Sequence, residues 1–355
     1  MPNRRPLHAL VGAVTATAAV LALAAPASAD SQGLAVHSLA ESPKEIRAHW
    51  TPARMRAAEP VAPPASPSAA STDAPAQTAA IPPDQETNPA LDVLYPQRVH
   101  GRLFFELDGP KTCSATVVSS QDEDLIVTAG HCVAIPGEQS GGAGIIFAQS
   151  VLFRPAYRNG AEPFGTFAGT RVAAPAPWAQ SGDISFDFGA IELAPSAFGK
   201  VEELLGARGI AFNRKPRSFR NDIFEIYGYP AMPEPDYDGE RMILCVSHFQ
   251  GFEPFTSAPV IGPCHQQQGS SGAGWVRNGR VESVTSHAHA GCPSPVGCSL
   301  VSGSYFGDAE FDVYRKLGGI SKGKSKRLKR CKRAESKSKR RACRGKVQRF
   351  APSGA

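Results

Sequence analysis

Two stretches decide how this chain is read: Val127-Thr128-Ala129-Gly130-His131-Cys132 and Gly269-Ser270-Ser271-Gly272-Ala273-Gly274. The first ends an apolar run on a histidine held between glycine and cysteine. The second sets two serines between glycines. Between them lies Phe186-Asp187-Phe188-Gly189-Ala190-Ile191, where an acid leads into the apolar run Phe188–Leu193. A serine hydroxyl is unreactive at neutral pH. It needs a base within hydrogen-bond reach, and that base needs a carboxylate to fix its tautomer. Glycines beside the serine let the backbone turn tightly and aim amide N–H groups at a developing oxyanion. Histidine, acid and serine, in that chain order, supply these parts.

Around these segments the chain is built of short β-rich runs bounded by Gly, Pro, Asn and Asp. They are Leu103–Leu107, Ala115–Val118, Leu125–Thr128, Gly144–Phe147, Phe188–Leu193, Ile223–Tyr227, Met242–His248, Gly274–Arg277 and Arg280–Ser286. Helical periodicity is confined to Phe198–Leu205 and Asp308–Leu317, with one more candidate over Ser42–Arg56. Many short strands with frequent turn signals predict an all-β sandwich or pair of barrels. A serine hydrolase of the α/β type is opposed by the chain order, which there runs Ser, acid, His. It is also opposed by Ala273, which spoils the GxSxG turn.

The segment TAGHC at 128–132, with Cys113 in Cys-Ser-Ala-Thr-Val-Val, GSSGAG at 269–274, Val284-Thr285-Ser286-His287 and Tyr305-Phe306-Gly307 resemble a secreted bacterial, actinobacterial-type serine peptidase. The family is the trypsin-like one, of chymotrypsin fold, and the branch most similar is that of the glutamyl-endopeptidase-like enzymes. The resemblance spans about residues 98–318. It implies two packed six-stranded antiparallel β-barrels. It makes His131 the general base and acid, Asp187 its orienting carboxylate and Ser271 the nucleophile. Asp187 is favoured over Asp183, which sits in a turn-like Ser-Gly-Asp, and Ser271 over Ser270. The N–H groups of Gly269 and Ser271 would form the oxyanion hole. Ser286 would sit beside Asp187, and 284–287 would pair with substrate as an added strand. Substrate contacts fall on His265, Gln268, Val284, Thr285, Ser286 and His287. His287 and His289 either line a pocket or face solvent.

The chain departs from the family in three places. Ser270 replaces the aspartate that many members use to switch on the zymogen. Ala273 and Gly274 replace a Gly-Pro. His265 at the pocket floor offers no carboxylate for Arg or Lys, and Thr285 stands where glutamyl endopeptidases carry a histidine. The cleavage preference therefore stays open.

Export is expected from the N-terminus. Arg4 and Arg5 precede an apolar Leu10–Ala25, and Ala27-Ser28-Ala29 suits a signal peptidase, so 1–29 reads as a signal peptide and not a membrane anchor. Residues 30–90 read as a pro-segment and linker: 57–90 hold 8 Pro and 11 Ala, a composition unable to bury a core. Residues 91–320 form the peptidase domain. In an oxidising compartment the eight cysteines are read as disulfides. Resemblance and proximity give Cys113–Cys132, Cys245–Cys264, Cys292–Cys298 and Cys331–Cys343. Residues 321–355 carry 15 Lys and Arg against one Glu, a disordered basic tail suited to a polyanionic cell-surface polymer. With one aromatic, Phe350, the tail offers no base-stacking surface, so no specific nucleic-acid partner is expected. Since the whole chain is only +6, the remainder is net acidic and no uniformly basic binder. No metal or cofactor is called for, and no membrane span follows the signal. The reading is a secreted serine endopeptidase made as a zymogen, with cell-wall association through the tail as a further expectation; its rival is a silent peptidase-fold binding protein retained by the tail.

Overall fold

In the computed structural model the described residues are 29–30, 33–62, 84–232, 237–266, 268–289 and 300–320. The signal sequence, the bulk of the Pro/Ala stretch, the pairs Cys292–Cys298 and Cys331–Cys343, and the basic tail lie outside them.

The strand Leu125–Thr128 shows how the sequence dictates the architecture. Successive side chains of a strand point to opposite faces. Ile126 enters the core of the first barrel, while Leu125 and Val127 face the second. An unbroken apolar run is what a strand buried on both faces requires. The first barrel runs His100–Glu106, Pro110–Val117, Leu125–Thr128, Gly189–Leu193, Phe167–Pro175, Gln149–Pro155 and back to the first, antiparallel throughout. The second runs Ile223–Gly228, Ile243–Phe252, Pro259–Gly262, Val301–Gly303, Arg280–Ala288, Gly274–Arg277 and closes again on the first. Two closed six-stranded antiparallel barrels are thus present, as expected.

Leu103, Phe105, Val151, Phe153, Phe167 and Ile191 fill the first barrel; Phe224, Ile226, Ile261 and Trp275 fill the second. Val127, Phe188 and Ala190 meet Val281, Val284 and Phe306 between them, and Phe311, Tyr314 and Leu317 of the Asp308–Lys316 helix and its cap close that seam.

The N-terminal segment packs on the barrels, and the helix expected over Ser42–Arg56 is present as two short ones. Leu34–Ser38 is an antiparallel strand on Phe167–Pro175, with Leu34 opposite Pro175 and Ser38 opposite Arg171. Helix Pro43–His49 opens with a Ser42/Glu45 capping box, and Pro52–Arg56 follows. Ile46, Trp50 and Met55 pack against Phe104, Leu152, Tyr157, Tyr227 and Met242. Trp50 Nε1 donates to Ser150 O, and Glu41 accepts from Ser150 N at 2.8 Å. Asp84–Glu86 adds an antiparallel strand to Ile243–Phe252. The ends of the Pro/Ala-rich stretch, read as linker from composition, are therefore packed: Ala58 is buried and Asp84–Glu86 is paired. Composition averages over a window and misses single residues that find a ready-made groove.

Candidate active site

Three elements converge where the barrels meet. After Leu125–Thr128 the chain makes one tight turn, Gly130–Cys132. Gly130 is needed there because a Cβ would lie 2.7 Å from the Trp178 ring. Cys132, bonded to Cys113 in the neighbouring strand, fixes the turn from the other side. His131 is thereby presented, almost fully buried, edge-on to Trp178.

Asp187 ends the turn Ile184–Phe186, just before Gly189–Leu193. Its Oδ2 takes His131 Nδ1–H at 2.8 Å and its Oδ1 takes the His131 backbone N–H at 2.8 Å. Ser286 Oγ donates to Oδ2 at 2.5 Å. Burial by itself would raise the Asp187 carboxyl, but the His131 charge and the hydrogen bonds from His131 and Ser286 outweigh it and hold the carboxyl below its ordinary value. Asp183 does something else: it caps its own turn, accepting from Ser185 N at 3.0 Å. His131 Nε2 has no partner among the described residues. A buried imidazole with one nitrogen anchored to a carboxylate and the other uncommitted can accept a proton at Nε2.

Ser271 is buried on the loop that enters Gly274–Arg277. That loop is pinned to the first barrel through Ser114. Ser114 N donates to Ser271 O at 2.8 Å, and Ser114 Oγ donates to Gly269 O at 2.9 Å while accepting from Tyr229 N at 2.9 Å. Cys132 Sγ lies 3.8 Å from Ser271 O, so the loop and the His131 turn are neighbours. Gly272 has φ +83°, and a Cβ there would meet Thr128 Oγ1 at 2.0 Å and Ser114 O at 2.5 Å. Gly269, at φ +98°, likewise has Tyr229 O 2.5 Å from a would-be Cβ. No described acceptor takes the N–H of Gly269 or Ser271. Ser114 is the residue sequence reasoning missed; its place beside Cys113 was the available signal.

The residues expected to contact substrate divide. His265 N donates to Asp84 Oδ1 at 3.2 Å, and Gln268 O accepts from Ala231 N at 2.7 Å. Val284 and Thr285 do not offer a pairing edge, correcting the expected 284–287 stretch. Val284 is in the inter-barrel core, with its carbonyl taken by Ser304 N. Thr285 N donates to Ala273 O, and Thr285 O accepts from Gly272 N. Pairing with Gly274–Arg277 stops at Val284, whereas that with Val301–Gly303 continues to Ala288. Ser286 is committed to Asp187. His287 lies buried, its Nε2 2.8 Å from Glu253 Oε1; of the two readings left open for it and His289, neither faces solvent. Cys245–Cys264 ties Ile243–Phe252 to the chain leading into the loop.

Three groupings of His, Cys and carboxylate occur among the described residues. Two include sulfurs already spent in disulfides. The third, Glu253–His287–His289, has all its donors.

Comparison with known proteins agrees with this architecture. No model of a known family matches the chain. An extracellular metalloprotease of Bacillus subtilis (strain 168) is 26% identical over 110 residues, 31% of this chain and 33% of that protein; the match spans about a third of the relative's length. Among solved structures, protease Anisep from Arthrobacter nicotinovorans superposes with TM-score 0.54 at 26% identity, covering 63% of this chain and 96% of that one. The thermostable serine protease AL20 from an extremophilic microorganism gives 0.55 at 28%, covering 63% and 98%. A Glu endopeptidase, at 16% identity and TM-score 0.51 over 67% and 97%, shares the fold. In architecture the chain is a chymotrypsin-fold protein, matching the bacterial serine proteases that share it.

Proposed function

We propose that this protein is an exported serine endopeptidase that hydrolyses peptide bonds through an acyl-enzyme. The observation that carries the reading is the His131–Asp187–Ser286 arrangement beside the pinned Ser271 loop. In this reading His131 Nε2 takes the Ser271 Oγ proton as Oγ attacks the scissile carbonyl, forming a tetrahedral oxyanion. The N–H groups of Gly269 and Ser271 receive that oxyanion. His131 then returns the proton to the leaving amine, and a water repeats the cycle on the ester. Asp187 holds the imidazole in the Nδ1–H tautomer and stabilises the imidazolium. The substrate backbone adds to the strand edge beyond Val284, at Ser286–Ala288. Two disulfides and the likeness to bacterial proteases support an extracellular setting.

The test is labelling of the secreted, folded protein by a fluorophosphonate probe, with the modified peptide identified by mass spectrometry. Label on Ser271 that vanishes in Ser271→Ala and His131→Ala is the expected result. A folded protein that takes no label would overturn the reading.

A further inference from the structure

His287 and His289 stand two residues apart at the end of the Arg280–Ala288 strand, and such a spacing puts both on one face. Their rings stack with centroids 5.8 Å apart. Glu253, which follows the Ile243–Phe252 strand, reaches the same point. Its Oε1 lies 2.8 Å from His287 Nε2 and 3.3 Å from His289 Nε2, and accepts from Ser302 Oγ at 2.5 Å. Ser302 Oγ is also 2.6 Å from His289 Nε2. All four residues are buried. Gathering three titratable groups out of water is costly unless they are paired or hold a metal.

Two imidazoles and one carboxylate are a ligand set that zinc accepts, with a fourth position left over. Ligand atoms about 2.0–2.1 Å from a tetrahedral zinc lie about 3.3 Å from one another. The two separations from Glu253 Oε1, 2.8 and 3.3 Å, are close to that value, and all three donor atoms lie within 4.8 Å of one another. The outer contacts favour it too. Ser286 has one hydroxyl proton, and it goes to the Asp187 carboxylate. His287 Nδ1, 3.1 Å from Ser286 Oγ, is therefore the donor in that contact. This leaves Nε2 as the nitrogen turned to Glu253. A metal-bound imidazole needs that arrangement: one nitrogen on the ion, the other N–H held by a hydrogen-bond acceptor. The remaining carboxylate oxygen, Glu253 Oε2, accepts from Thr256 Oγ1, which orients the group.

We propose that His287 Nε2, His289 Nε2 and Glu253 Oε1 bind one Zn²⁺, with the Ser302 hydroxyl beside the fourth position. The ion would tie the loop after Ile243–Phe252 to the strand that carries Ser286. Any proton on either Nε2 leaves to solvent as the nitrogen lone pair turns to the metal. The proposal does not depend on Ser271 being a nucleophile.

The full-length secreted protein, stripped with a chelator and dialysed against Zn²⁺ and then against metal-free buffer, is expected to retain about one zinc per chain by elemental analysis and to melt at a higher temperature than the stripped form. Co²⁺ in place of Zn²⁺ is expected to give the intense visible absorption of a tetrahedral ion. His289→Gln and Glu253→Gln, checked for fold by circular dichroism, are expected to lose both the zinc and the spectrum. Zinc that persists in both folded variants sits elsewhere and would overturn the proposal. So would a wild-type protein that retains less than about a tenth of an equivalent. Should both variants misfold, the wild-type spectrum decides: weak octahedral absorption would reject the site.

Discussion

At the residue scale, the Asp187 carboxylate carries the most consequence per atom. It takes three hydrogen bonds, two from His131 and one from Ser286. Asp187→Asn keeps the shape but removes the charge and favours the wrong imidazole tautomer. A drop in kcat of about 10⁴ is expected, read by peptide hydrolysis on protein shown to be folded by circular dichroism. Ser286→Ala removes one donor that holds the carboxyl below its ordinary value. A depressed carboxylate contributes stability that is full above its unfolded value and is lost as pH falls through its folded one. With less depression, acid unfolding followed by circular dichroism starts at a higher pH in Ser286→Ala; an unmoved midpoint would contradict the assignment. Ser114 acts through the loop. Ser114→Ala strips Gly269 O and Tyr229 N of their buried partner. A loss of about 1–3 kcal/mol in stability and a slower fluorophosphonate reaction are the expected outcomes.

At the scale of elements, the two tight turns work because particular residues lack a Cβ. Gly272→Ala would force a side-chain atom onto Thr128 Oγ1 and Ser114 O in a left-handed conformation. Backbone strain alone costs about 1–3 kcal/mol, so labelling at Ser271 should be lost before the fold is. Among the groups that hold the added N-terminal segment is Trp50, buried against Phe104 with its Nε1 donating to the Ser150 carbonyl. Trp50→Ala is expected to cost about 3–5 kcal/mol in denaturant unfolding, more than removal of a detachable pro-segment would. The elements that sequence patterning did not single out, Gln149–Pro155, Phe167–Pro175, Pro259–Gly262 and Val301–Gly303, are the ones that close both rings. Their local signals are poor. Ser150 within the first and Ala156 just after it have positive φ, the second mixes Gly, Thr, Arg and Ala, and the last two span only four and three residues.

At the scale of the whole molecule, the helix Asp308–Lys316 reports on the seam between the barrels. Burial pushes the Glu310 carboxyl up to about 7, against about 4.3 unfolded. Between those values the folded state binds the extra proton, so stability declines as pH rises through that window. Glu310→Gln cannot ionise, and its melting temperature should gain on the parent's from mildly acid to neutral pH; parallel curves would refute this. Proteolytic processing between residues 63 and 83 should leave 33–62 attached, because its strand and buried Trp50 belong to the first barrel. Terminal sequencing of the folded, processed protein should then read two N-termini.

The sequence by itself determined what is local: the strands with clear apolar runs, the glycine-framed turns, and the His131, Asp187 and Ser271 segments together with the kind of chemistry those residue types suit. Short-range periodicity and turn stereochemistry are written in a few consecutive residues. The tertiary structure alone decided that Ser114 pins the Ser271 loop, that 33–62 joins the barrel, and that Glu253 finds His287 and His289. Each of those contacts joins residues far apart in the chain. Glu253, one of 32 acidic residues, carries no local mark that sets it apart. Only when the second barrel closes are its carboxylate and two strand histidines brought within hydrogen-bond distance.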